Sequence, residues 1–185
     1  MDYYFEVKIL AIPEISSSHI MNSLFDALHL ALVRLRYRDV GVSFPEVNGK
    51  DLGACLRIHG TEESLRNLLV DDWWRGMHDY IEILPVGRVP HDAKFKKVQR
   101  VQTKSSPERL RRRLERRQGI PPEEAKKKIP DSVAKKLDLP YLKISSKSSG
   151  QNFRLFIRHG PTMEKVQVGS FNSYGLSMGG SIPWF

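Results

Sequence analysis

Along the first 84 residues, the spacing of hydrophobic residues switches between a strand pattern and a helix pattern. The order of these segments constrains the fold more than any other feature of the sequence. Tyr3, Phe5, Val7 and Ile9 alternate with mostly polar neighbours, which is typical of a half-buried strand. Segments with apolar residues three or four positions apart predict helices. The predicted elements are a strand at 3–9, a helix capped by the serines at 16–18 and ending near 35, strands at 40–44 and 54–59, a helix from 62 to about 80, and a strand at 80–84. This β-α-β-β-α-β order is the ferredoxin-like pattern, which hosts many functions and names none by itself.

A row of arginines lies on one face of a helix predicted at about 107–118. The five arginines follow i, i+3, i+4, i+7, i+8 spacing, which places them on one side of a helix. They are Arg109, Arg112, Arg113, Arg116 and Arg117. A solvated face normally mixes both signs of charge, and guanidinium groups pair bidentately with phosphate. The row therefore predicts contact with a folded polyanion, most simply a nucleic acid.

The charge of the chain is unevenly distributed. Residues 1–93 carry 9 Lys and Arg against 14 Asp and Glu, whereas residues 94–147 carry 18 against 6. We therefore predict an α+β protein with two domains. Residues 1–93 would form the ferredoxin-like domain. Residues 94–185 would form an RNA-binding α/β domain with the arginine-rich helix, a β-hairpin at 141–145 and 152–158, and a glycine-rich C-terminal loop after Tyr174. Residues 85–104 are predicted to be a connector, and a further helix is predicted at 131–137.

Several classes of function are disfavoured by composition. Cys55 is the only cysteine, and the six histidines show no metal-binding spacing, so we expect no disulfide, metal or cofactor. No apolar run reaches the ~18–20 residues that cross a membrane, and residues 1–4 do not resemble a signal peptide. A cytoplasmic location without membrane contact is expected.

Three elements could carry chemistry, although each has an ordinary structural interpretation. His29 on the first helix could transfer a proton near neutral pH. Serines crowd residues 145–149, and Tyr174 begins the glycine-rich loop. RNA supplies its own nucleophile, the 2′-OH, so one base and one positioning group could suffice for cleavage. A surface histidine, a serine-rich turn and a core tyrosine fit the same pattern.

The sequence resembles one known family along essentially its whole length. Matching blocks include GVSFP at 41–45, LRIH at 56–59, PERLRRRL at 107–114, FRLFIRHGP at 153–161, YGLS at 174–177 and PWF at 183–185. These blocks resemble the type I-F (Yersinia-subtype) CRISPR-associated endoribonucleases, which process precursor CRISPR RNA. The family substrate is a short repeat hairpin cut at the base of its stem without metal, giving a 2′,3′-cyclic phosphate and a 5′-OH.

The resemblance also implies the catalytic residues. His29 matches the histidine that acts as general base on the 2′-OH, and Tyr174 matches the tyrosine that orients this histidine. The serine that positions the ribose lies seven residues before Phe153, which gives Ser146. Ser148 is the alternative, and it falls on another family serine close to the RNA.

The RNA contacts follow from the same resemblance. Arg100 and Gln102 match residues that read base edges near the cut, and Phe153 matches the aromatic residue that stacks under the terminal base pair. Arg112, Arg113, Arg116 and Arg117 match the helix in the major groove, with Arg109 beside them. Ser148 completes the implied RNA-binding set.

The resemblance finally implies partners. Family members stay bound to the 3′ hairpin of the mature crRNA and join other Cas proteins of the type I-F surveillance complex, and we expect a monomer when free. A non-catalytic RNA-binding subunit fits the predicted fold and charge equally well; the presence of His29, Ser146 and Tyr174 favours the enzyme. A DNA-binding protein that uses the arginine helix is a more distant alternative.

Overall fold

The computed structural model describes residues 1–102, 107–131, 137–145 and 152–185. The helices are α1 (Ser17–Leu35), α2 (Glu62–Val70), α3 (Pro107–Gln118) and α4 (Pro122–Lys128). The strands are β1 (Tyr3–Ile9), β2 (Gly41–Ser43), β3 (Cys55–Gly60), β4 (Ile81–Ile83), β5 (Gly87–Arg88), β6 (Lys94–Lys96), β7 (Val98–Val101), β8 (Tyr141–Ser145), β9 (Asn152–His159), β10 (Ser170–Phe171), β11 (Ser177–Met178) and β12 (Ile182–Trp184). Helices and antiparallel sheets make this an α+β protein, as predicted. Within the described ranges, no helix has both the length and the apolar character needed to span a bilayer.

The main sheet has the strand order β2-β3-β1-β4, and β5 also pairs with β1. All of its pairings are antiparallel. Phe5 and Val7 of β1 and Ile58 of β3 are fully buried on one face. Helices α1 and α2 pack against this sheet and bury apolar residues three or four positions apart. Helix α1 therefore has one long side in the core, and the residues of its other side are at least partly exposed.

The opposite face of this sheet is covered by residues near the end of the chain. Side chains alternate along a strand, so Glu6 and Arg57 point away from Phe5 and Ile58. Arg57 is only 8% exposed and its Nη2 lies 2.7 Å from Glu6 Oε1. Its Nη1 donates to the backbone oxygen of Phe185 at 2.8 Å, and its guanidinium lies 3.9 Å from the ring centroid of that residue. The second face of the sheet is thus covered around Arg57, whereas Lys8 and Glu82 on that face are exposed.

His59 is a fully buried histidine on the same face. Its Nε2 lies 2.9 Å from Ser43 Oγ, and its Nδ1 has no hydrogen-bond partner within the described ranges. Burial, with a contribution from the nearby Arg57 charge, lowers the pKa of His59 from its ordinary value of 6.5 to about 3. Between pH 6.5 and about 3, the ring is therefore neutral in the folded protein and protonated in the unfolded chain.

We expect His59 to make the folded state less stable in mild acid. Between pH 6.5 and about 3 the unfolded state binds a proton at this site and the folded state does not, so stability is fully present above pH 6.5 and falls as pH decreases. The loss from this one group between pH 6.5 and 5 should be about 1.5 kcal/mol. Urea unfolding of wild type and His59→Gln at pH 7, 6 and 5 measures it, with His91→Gln as the exposed control. A pH dependence unchanged by His59→Gln would contradict the assignment.

A second sheet, β7-β9-β8, packs beside α1. Leu142 and Ile144 of β8 and Leu155 and Ile157 of β9 join the same hydrophobic core as the main sheet. The side-chain oxygen of Asn22 on α1 accepts a hydrogen bond from the backbone N–H of Lys143 at 2.8 Å. The hairpin predicted at 141–145 and 152–158 is present, and it lies along α1.

The chain divides into two compact units. The first contains Met1–Val101 and Leu139–Phe185, and the second contains Gln102–Asp138. In the second unit α3 packs on α4, and Arg111 donates to the backbone oxygen of Ile129 at 2.8 Å and to Asp131 at 2.6 Å. The predicted division into 1–93 and 94–185 followed charge and function, and it stays a prediction.

Two sequence-based predictions of elements were wrong. Helix α2 ends at Val70, not near residue 80, because the backbone turns at Asp72 with φ +47° and at Gly76 with φ +86°. Trp73 is buried after this turn and had extended the apolar pattern. The segment 85–104, predicted as a connector, contains β5, β6 and β7. Most of the helix predicted at 131–137 lies outside the described residues.

Candidate active site

His29 lies at the edge of the buried side of α1. Leu28 and Leu32 on this helix are almost fully buried, whereas His29 is partly exposed. The ring faces the loop that joins β10 to β11. The helix therefore anchors the histidine through its neighbours while leaving the imidazole accessible.

The backbone of that loop fixes the tautomer of His29. Nδ1 of His29 lies 2.7 Å from the carbonyl oxygen of Ser173. A carbonyl oxygen only accepts hydrogen bonds, so Nδ1 carries the proton and donates. In the neutral ring the lone pair is then on Nε2. This arrangement prepares Nε2 to accept a proton from a ligand.

The ring of Tyr174 restrains the plane of the imidazole. The two rings are stacked, with centroids 3.9 Å apart and an interplanar angle of 9°. Phe25 of α1 lies nearly parallel to Tyr174 at a centroid distance of 6.0 Å. Burial raises the pKa of the Tyr174 hydroxyl above its ordinary value of 10, although the Arg100 charge opposes this shift. Tyr174 is therefore a neutral phenol at physiological pH.

Asn172 organises the loop that holds His29. Its side-chain oxygen accepts hydrogen bonds from the backbone N–H groups of Tyr174 at 2.9 Å and Leu176 at 3.1 Å. The backbone of Gly175 has φ +69°, and a Cβ there would meet Val42 Cγ1 at 2.7 Å. The N–H of Val42 donates to the carbonyl oxygen of Gly175 at 3.0 Å. The loop is thus closed on itself and fixed to β2.

Ser146 and Ser148 lie outside the described residues. The flanking residues Ser145 and Asn152 are paired in register, and both line a cavity of about 460 Å³ beside α1. Asp26, one helical turn before His29, lines the same cavity. Ser145 and Asn152, which flank the serine-rich loop, therefore lie beside the part of α1 that precedes His29.

The structure places Arg100 and Phe153 together. Arg100 is exposed on β7, and its guanidinium lies 5.4 Å from the ring centroid of Phe153 on β9. Phe153 is partly buried and packs against the core. A flat ring beside an arginine can stack on a base. Gln102 is exposed and belongs to the second compact unit.

Four arginines of α3 are exposed and lack an ion-pair partner in the described part of the chain. They are Arg112, Arg113, Arg116 and Arg117. Arg109 is also exposed but makes an interaction within the protein. Arg111 is different, because its side chain is only 13% exposed and is used to hold the second unit together. The exposed set is the face that the spacing predicted.

Sequence reasoning missed two features of the site. Ser173 acts through a backbone oxygen, which has no signature in the sequence. Asn172 lies three residues before Gly175, and an asparagine that bonds the backbone two residues on is a turn signal that could have been used. His159 is in a different environment from His29: it is mostly buried against Phe44 and Trp184, and burial lowers its pKa to about 4.

Comparisons with known proteins identify the class. Residues 4–185 match a family model described as CRISPR-associated protein (Cas_Csy4). The protein named CRISPR-associated endonuclease Cas6/Csy4 from Pseudomonas aeruginosa (strain UCBPP-PA14) is 46% identical over 187 residues, and the match covers all of both chains. The protein of the same name from Escherichia coli (strain UTI89 / UPEC) is 42% identical over 185 residues, again covering all of both chains.

The solved structure of the CRISPR endoribonuclease Cse3 bound to a 19-nucleotide RNA also matches, with 13% identity over the full length of both chains. Its TM-score of 0.40 indicates only a loose likeness of fold. The family model and the two relatives show that the protein is a CRISPR-associated endonuclease. The chain belongs to the Cas_Csy4 family, and the type I-F resemblance read from the sequence is confirmed.

Proposed function

We propose that this protein cuts CRISPR repeat RNA at the base of a stem-loop by attack of a 2′-OH on the neighbouring phosphate. The observation that carries the proposal is the hydrogen bond from His29 Nδ1 to the carbonyl oxygen of Ser173, which leaves Nε2 as the proton acceptor. The stack on Tyr174 supports the same role, because it restrains the ring plane.

In the proposed reaction His29 Nε2 takes the proton of the 2′-OH. The 2′-oxygen attacks the adjacent phosphorus, and the bond from phosphorus to the 5′-oxygen breaks. The leaving oxygen takes up a proton from solvent, so the products are a 2′,3′-cyclic phosphate and a 5′-OH. The nucleophile belongs to the substrate, and the reaction therefore needs no metal-bound water. Ser146 would hold the ribose in line for attack, with Ser148 as the alternative.

The proposed RNA contacts divide between the two units. Arg100 and Phe153 would hold the bases near the cut, and their proximity supports this role. The exposed arginines of α3, with Arg109 beside them, would contact the stem, and Gln102 would read a base edge near the cut together with Arg100. The proposal also includes specificity for a hairpin and a monomeric free state. It further includes retention of the product in a type I-F surveillance complex with other Cas proteins. The β1-α1-β2-β3-α2-β4 order and the antiparallel sheet support a ferredoxin-like domain.

The test is cleavage of a panel of end-labelled repeat hairpins in excess EDTA. Each hairpin is paired with a twin that carries one 2′-deoxy nucleotide 5′ of the expected cut. Cleavage of only the all-RNA hairpin, with a cyclic phosphate end, is the expected result. Inhibition by EDTA would overturn the metal-independent mechanism, and tight binding without cleavage would leave a non-catalytic RNA-binding subunit.

We expect Asn172→Ala to slow cleavage by roughly 10–100-fold with little effect on hairpin binding. The variant loses both side-chain hydrogen bonds that close the loop, so the Ser173 carbonyl and the Tyr174 ring no longer restrain His29. Single-turnover rates and binding of the 2′-deoxy hairpin measure the two effects. Asn172→Asp keeps an acceptor oxygen and should retain most of the rate. Equal rates in wild type and Asn172→Ala would remove this residue from the site.

A further inference from the structure

A groove follows the exposed side of α1 within the first compact unit. It consists of two adjoining cavities of about 570 and 460 Å³ that share His19, Asn22 and Lys143. Ser16 lies at one end, and Asp26, one turn before His29, lies at the other. The walls are α1, β8 and β9, with the turn around Asp51 at the far end. We call this feature the α1 groove.

The α1 groove carries two cations that no described residue neutralises. Lys143 and Arg154 are exposed on neighbouring strands and form no ion pair within the described ranges. Lys50 lines the far end as well and makes an interaction within the protein. Of the two aspartates, Asp51 accepts a hydrogen bond from the backbone N–H of Gly53 at 3.0 Å, which partly satisfies its charge. The groove thus favours an anionic ligand.

Aromatic faces accompany these cations. The guanidinium of Arg154 lies 4.7 Å from the ring centroid of Tyr141, and Phe153 lines the end of the groove nearest His29. Positive charge with interspersed aromatic rings is the combination that binds single-stranded nucleic acid, because phosphates pair with the cations and bases stack on the rings. Each cavity also falls in the roughly 300–1,000 Å³ range that accommodates a ligand of about nucleotide size.

We propose that the α1 groove binds the single-stranded RNA that continues 3′ of the scissile phosphate. This inference rests on the proposed function. The strand that passes His29 is the strand that is cut. On the 5′ side of the cut that strand is paired in the stem, and on the 3′ side it is single and needs a path away from the base. The α1 groove begins one helical turn from His29 and supplies that path.

The test measures binding of the hairpin that the panel experiment selects, made uncleavable by a 2′-deoxy nucleotide. The hairpin carries either one or eight uridines 3′ of the cut, or eight uridines 5′ of the stem. The proteins are wild type, Lys143→Ala/Arg154→Ala, and Arg38→Ala/Lys165→Ala. The last variant removes the same two charges from exposed positions outside the groove.

We expect the eight-uridine 3′ extension to tighten wild-type binding by roughly tenfold. The salt dependence should steepen by about 1.4 in the logarithmic slope if two phosphates are contacted. Lys143→Ala/Arg154→Ala should lose this gain and bind the short hairpin normally, and the control variant should keep the gain.

The proposal is overturned if the 3′ extension gives wild type no gain, if the gain survives Lys143→Ala/Arg154→Ala, or if only the 5′ extension tightens binding. In these cases the short hairpin still binds, and the proposed function stands. Failure of every hairpin to bind would overturn the proposed function together with this inference.

Discussion

His29→Ala should reduce the rate of hairpin cleavage by about 10³-fold or more while leaving hairpin affinity within about twofold of wild type. The imidazole is held by a backbone carbonyl on one side and stacked on Tyr174, so it is placed for proton transfer and contributes little contact area. Single-turnover cleavage and binding of a 2′-deoxy hairpin separate the two effects.

The matched control for this experiment is His91→Ala, because His91 is exposed and lies outside the site. It should cleave at the wild-type rate. If His29→Ala loses binding and cleavage to the same extent, the residue contributes to holding the RNA and is not the general base.

Arg113→Ala/Arg117→Ala should weaken hairpin binding by roughly 100-fold at physiological salt. Both guanidinium groups are exposed on α3 and lack a partner in the described ranges, so they are available to phosphates. Each lost phosphate contact should reduce the slope of log affinity against log salt by about 0.7–0.9. Titrations at several salt concentrations give both quantities.

A suitable control is Arg66→Ala/Arg75→Ala. These arginines are exposed as well, but each is paired with a carboxylate within one helical turn, Glu62 and Asp72 respectively. This variant should keep the wild-type salt slope. A slope unchanged in Arg113→Ala/Arg117→Ala would remove those two residues from the phosphate contacts.

The sequence predicted the elements that depend on local pattern. Helix α3 has the predicted bounds of about 107–118, because its spacing and the proline at its start are local signals. The strands β5, β6 and β7 were missed because they are two to four residues long. Such short segments are strands because partners elsewhere in the chain pair with them, and a short window cannot contain that information.

The candidate site shows the same limit. The family resemblance predicted His29 and Tyr174 as site residues, but their geometry could not be predicted from the sequence. The acceptor for His29 is a carbonyl 144 residues away, and every residue has a carbonyl. What selects Ser173 is the turn made by Asn172 and the close contact of Gly175 with β2, which exist only in the folded chain.

The pairing register of β9 bears on how the sequence of this protein could diverge during evolution. Val101, where the first unit ends, and Tyr141, just after it resumes, both lie opposite Phe156, one on each side of β9. Neighbouring strands are about 4.8 Å apart, so these two points are roughly 10 Å apart. Three or four extended residues would bridge that gap. Gln102–Asp138 is therefore an insertion in the chain that leaves the sheet after β7 and returns to it before β8, on either side of β9. Under the proposed function, a lineage that meets a new repeat hairpin could exchange this arginine-bearing insertion while His29, the Ser173 carbonyl and Tyr174 are inherited unchanged.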